Sequence, residues 1–71
     1  MSGICTPIHT TEIKFTSENG GGTIRFKQGQ KLNFGPDLLH ETNLVVATDT
    51  GTWLSLPVDT FYYIFKIIER G

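Results

Sequence analysis

The stretch Asn43–Gly71, NLVVATDTGTWLSLPVDTFYYIFKIIERG, decides the fold. Leu44 to Ala47 is a short apolar run of strand formers. Thr48-Asp49-Thr50-Gly51 supplies a turn, in which glycine takes the positive φ that a tight hairpin needs. Thr52 to Leu56 then alternates, so Leu54 and Leu56 share one face while Trp53 and Ser55 share the other. Beyond Pro57 the spacing changes. Phe61, Ile64, Phe65 and Ile68 fall at i, i+3, i+4 and i+7, the apolar stripe of a helix. Pro57 suits the strand-to-helix corner, Asp59 or Thr60 can cap the first turn, and Lys66 and Arg70 lie toward its negative end. The expectation is a β-hairpin that runs into a C-terminal helix of about three turns.

Working back toward the N-terminus, three more alternating segments appear. Ile13 and Phe15, Ile24 and Phe26, and Leu32 and Phe34 each place two apolar side chains on one face. The glycine-rich segment Ser17–Gly22 and the segment Gln28–Gln30 punctuate them as turns. The glycines could cradle a phosphate if they opened a helix, but a strand pattern without the required lysine follows them. Asp37–Thr42 is a crossover loop or a single helical turn, pinned by Leu38 and Leu39. Residues 1–11 contain Pro7 and few aliphatic anchors, which suggests an extended arm, frayed or laid along a sheet edge.

The expected fold is therefore α+β, in one domain spanning residues 1–71. A small antiparallel sheet of four or five strands, in the order β-β-β-β-β-α, carries one C-terminal helix packed on one face.

At 71 residues the chain buries only about 60% of its unfolded surface, and such domains commonly add a disulfide, a metal or a second subunit. A single cysteine, Cys5, excludes an internal disulfide, and the two scattered histidines lack ligand spacing, so no metal or cofactor is expected. A homodimer is the staple that is left. The net charge of −1 and pI near 6.0 give no bulk attraction to nucleic acid. No apolar run approaches the roughly 20 residues of a membrane-spanning helix, and no signal peptide opens the sequence. Those features point to a cytoplasmic protein.

No catalytic motif is present. His40 has no nucleophile or carboxylate pair at meaningful spacing, and nothing near Cys5 in sequence lowers its pKa. The chain reads as a non-enzymatic regulatory or inhibitory protein that binds another protein. Tyr63 and Ile67 form a second apolar strip on the expected helix, with Tyr62 at its edge; with Trp53 they are the candidate partner-binding residues.

The alternative is a single-stranded nucleic-acid binder. Lys14, Arg25, Lys27 and Lys31 would line the outer sheet face with Trp53, cations following phosphates while the indole stacks on bases. No acid occurs between Asn19 and Pro36 to offset them. The order of elements, hairpins followed by a C-terminal helix, resembles that of the single-stranded-DNA-binding transcriptional coactivator family, which implies a dimer. The resemblance lies in topology and shares no motif, so it assigns no residue.

Overall fold

A computed structural model describes residues 2–17, 20–48 and 51–71. Its elements are β1 (Gly3–Pro7), β2 (Thr11–Ser17), β3 (Gly20–Phe26), β4 (Leu32–Pro36), β5 (Asn43–Ala47), β6 (Trp53–Pro57), α1 (Val58–Ile64) and β7 (Phe65–Arg70). Five strands form one antiparallel sheet in the order β6-β5-β4-β1-β7, and β2 and β3 pair as a separate ribbon. The α+β expectation holds: the described residues form a five-stranded antiparallel sheet, a two-stranded ribbon and one helix in the C-terminal third.

Alternation builds the core. Cys5, Leu32, Phe34, Leu44, Val46 and Leu56 are buried, and the register pairs them across neighbouring strands as Cys5 with Leu32, Phe34 with Val46, and Leu44 with Leu56. Phe26 of the ribbon stacks edge-on against Phe65 at 5.1 Å, so the ribbon closes over the same face. Phe61, the only buried residue of α1, lies between Phe34 at 5.3 Å and Phe65 at 5.4 Å. Burying each such ring contributes about 1.5–3 kcal/mol, so this aromatic cluster, with the half-buried Val58 and Ile64, holds α1 against the sheet.

The helix is shorter than its spacing predicts. It ends at Ile64, and Phe65–Arg70 is a strand paired with β1. Two physical reasons favour the change. Phe65 and Ile67 satisfy an alternating pattern as well as a helical one, and adjacent β-branched isoleucines are mediocre helix formers. The strand also gains a ladder of backbone hydrogen bonds from β1, which a helix would forgo. Pro57 occupies the N-cap position without a side-chain cap bond, so neither Asp59 nor Thr60 caps the helix. Lys66 and Arg70 lie on β7 instead of at a helix end. With a strand last, the order of elements no longer resembles that of the coactivator family.

The first eleven residues hold a second difference. Gly3–Pro7 is an inner strand between β4 and β7, and the chain ends meet where the Gly71 N–H donates to the Ser2 carbonyl at 3.0 Å. Strand β7 passes so close to β1 that a Cβ on Gly3 would overlap the Glu69 carbonyl, and Gly3 has a φ of 156°. Only glycine allows this approach.

Of the expected turns, Gly51 takes its positive φ of 83°, whereas Asp49, Thr50, Glu18 and Asn19 fall outside the described residues. Gly20–Gly22 continue the β3 strand, paired with Phe15, Thr16 and Ser17.

Candidate binding surfaces

The residues expected to bind a partner occupy three elements. Trp53, 59% exposed, opens β6 on the sheet face turned away from the core, opposite Ala47 in the register. Tyr62 and Tyr63 are on α1. Tyr62 packs edge-on against Phe61 at 5.3 Å and is half exposed, whereas Tyr63 is 86% exposed. Ile67 is on β7, half-buried and paired with Cys5, so it does not extend a helical strip from Tyr63. The structure thus keeps Tyr62 and Tyr63 together. Trp53 points from the sheet face opposite the one that packs on Phe61.

The most exposed apolar side chains among the described residues are ones that the sequence pattern places inside. Leu38 and Leu39 pin nothing: they are 93% and 88% exposed at the tip of the β4–β5 connection. The tip is firmly held. Asp37 Oδ1 accepts a hydrogen bond from the Leu39 N–H at 2.9 Å, the Ser55 hydroxyl donates to Asp37 Oδ2 at 2.5 Å, and Asn43 Nδ2 donates to Ser55 Oγ at 3.0 Å. The backbone adds His40 N–H to the Asp37 carbonyl and Asn43 N–H to the His40 carbonyl. These bonds hold the Asp37 carboxyl below its ordinary pKa, the Ser55 hydroxyl first and the Leu39 amide next. A sequence signal existed: an aspartate two residues before Leu39 can close a side-chain turn, and so short a connection cannot fold its leucines back onto the sheet.

Asp37, His40 and Ser55 are a carboxylate, an imidazole and a hydroxyl, joined in the wrong order for a catalytic triad. His40 Nδ1 lies 3.5 Å from Asp37 Oδ2, and the Ser55 hydroxyl donates to that carboxylate instead of to the imidazole. A serine nucleophile requires a base at its proton, and here the proton is already held by the carboxylate. The cluster ties the loop to β6. Cys5 is wholly buried, and burial pushes its thiol up to about 11. Among the described residues no group of histidine, cysteine and carboxylate side chains gathers at metal-binding distances.

The candidate nucleic-acid residues also divide. Lys14 and Arg25 share the outer face of the ribbon, but Glu12 is paired directly with Arg25, so the face is mixed in sign. Lys27 begins the turn after β3, where its N–H donates to Gln30 Oε1, and Lys31 precedes β4. Trp53 belongs to the far edge of the other sheet. One grouping does form. A cleft of about 330 Å³ opens between the ribbon and the β5–β6 end, with Phe15, Ile24 and Phe26 on its apolar side and Arg25, Gln30 and Thr52 on its polar side. Arg25 and Gln30 also line an adjoining groove with Lys27.

No helix among the described residues is long and apolar enough to cross a membrane. No protein-family model, curated protein or solved structure matches the chain.

Proposed function

We propose that this chain is a small non-enzymatic regulatory or inhibitory protein that acts in the cytoplasm, as a homodimer, by docking to another protein and occluding part of its surface. The observation that carries the reading is Tyr63. Its ring is 86% exposed, yet it sits on a helix anchored by the wholly buried Phe61 and followed at once by the buried Phe65. A large ring held outside on a fixed backbone loses little freedom on binding, and such residues dominate protein interfaces. Leu38 and Leu39 add to it a pre-formed apolar tip whose backbone is ordered before any partner arrives. A single unpaired thiol is in keeping with a reducing compartment.

The test uses three immobilised proteins: the native chain, Tyr63→Asp, and the double variant Leu38→Ser with Leu39→Ser. All three changed positions are exposed, so each variant should keep its circular dichroism spectrum and melt within about 0.5 kcal/mol of the native chain. Capture of the same protein band by the native chain from nuclease-treated extract, lost with Tyr63→Asp, supports the reading. Equal capture by all three overturns it.

The shared position of Arg25 favours a second reading, binding of single-stranded nucleic acid. An apolar pocket could take a base while Arg25 and Lys27 follow the phosphates. This reading expects an affinity for oligonucleotides that falls steeply with salt and disappears in Arg25→Glu with Lys27→Glu. Binding that ignores both changes removes it.

A further inference from the structure

Strand β7 is an edge. Its one sheet neighbour is β1, and among the described residues no other bond engages its outer side. Exposed edges of this kind invite another strand. The sequence of β7 is FKIIER, and its charges mirror one another: lysine is second from one end, glutamate is second from the other, and two isoleucines fill the centre. Laid antiparallel against a second copy, Lys66 of each chain meets Glu69 of the other, and the isoleucines meet at the middle.

A regular strand forbids this arrangement. Antiparallel partners share a face of the sheet, whereas residues three apart on one strand point to opposite faces. Strand β7 is not regular. Lys66 is paired with Thr6 and Glu69 with Ile4, and the register slips between Ile4 and Cys5, so that Ile68 is the additional residue. Thr6 and Ile4 are two apart on β1 and lie on one face, so Lys66 and Glu69 lie on one face too. Both are exposed, neither joins an ion pair within the chain among the described residues, and Ile68 is 46% exposed.

We propose that two copies of this chain associate through β7, antiparallel about a two-fold axis, with Lys66 of each copy against Glu69 of the other. The bulge supplies the register: it places both members of each charge pair on the same side of the joined sheet. The interface is isologous, so every contact occurs twice and the assembly closes as a dimer. This specifies the dimeric part of the function proposed above and rests on it. Capture of a foreign protein through Tyr63 is a separate event with its own test.

The experiment is sedimentation across a concentration series with the native chain, Lys66→Glu and Glu69→Lys. Each single reversal sets like charges opposite one another at two places and should raise the dissociation constant on the order of tenfold. Mixing the two variants restores opposite charges at both places, so the mixture should form a heterodimer as readily as the native chain forms its homodimer. Recovery on mixing also shows that the single variants are folded. A native dimer unmoved by either reversal, or single variants that stay apart when mixed, overturns the interface but leaves the dimer. A native chain that is monomeric throughout overturns both, and would mean that the bulge guards the edge against pairing.

Discussion

Phe61→Ala is the most demanding test of the fold, because Phe61 is the only buried side chain through which α1 is held. The ring is 0% exposed and meets Phe34, Phe65 and Tyr62 at centroid distances of 5.3, 5.4 and 5.3 Å. Replacing such a phenylalanine by alanine costs about 3–5 kcal/mol, part of it from lost transfer energy and part from the hole left among the other rings. A domain of this length has a total stability of roughly 4–10 kcal/mol, so the substitution removes a third or more of it. With a urea slope of about 1 kcal/mol per molar, the unfolding midpoint should fall by roughly 3–5 M, or the variant should be unfolded without denaturant. Far-ultraviolet circular dichroism in urea reads this directly. Two controls sharpen the result. Tyr63→Ala should stay within about 0.5 kcal/mol of the native chain because its ring is outside. Ile68→Ala, compared at a protein concentration too low for association through β7, should cost under about 1 kcal/mol, whereas a continuous C-terminal helix would bury Ile68 and make the change expensive. A midpoint shift below about 0.5 M for Phe61→Ala, or a large one for Ile68→Ala, would refute the packing described above.

Two further outcomes follow from the titratable groups. The Asp37 pKa is lowered in the folded chain, so its bonds contribute stability above the ordinary aspartate range, and that contribution is lost as pH falls through the folded value. The protection of the Leu39 and His40 amides, taken relative to their intrinsic exchange rates, should therefore fall in acid in the native chain, and Asp37→Asn should abolish that step; an unchanged acid profile in the variant would remove the carboxylate from the account. Cys5, buried and raised to about 11, should resist alkylation at pH 8 in the folded protein and react readily in urea. Rapid labelling of the native protein would mean that β1 is not held inside the sheet.

The segments legible in the sequence are those where one periodicity is unambiguous. Alternation places Ile13, Phe15, Ile24, Phe26, Leu32, Phe34, Leu54 and Leu56 toward the core side, and all are buried or half-buried. It also turns Trp53 outward. Two segments could not be assigned from pattern alone. In FYYIFKIIER the same apolar residues fit a helix throughout or a helix followed by a strand, and the choice is made by β1, some sixty residues away in sequence. In GICTP the strand pattern is weak because its burial depends on two flanking strands, and no local signal reports them. The candidate sites divide for a similar reason. Lys14 and Arg25 do share a face, but the ribbon that carries them forms a second sheet, and that separates them from Trp53. Leu38 and Leu39 look like core by composition, and only the bonds of Asp37 show that the loop holds them outward.

Because β1 is flanked by β4 and β7, a strand synthesised early is completed by one synthesised some sixty residues later. Until β7 has been made, β1 lacks one of its two neighbours and Phe61 lacks the ring of Phe65, so the nascent chain carries a half-built sheet with an open side. Such a topology should delay cooperative folding until β7 is available, and slow it compared with a helical domain of equal length.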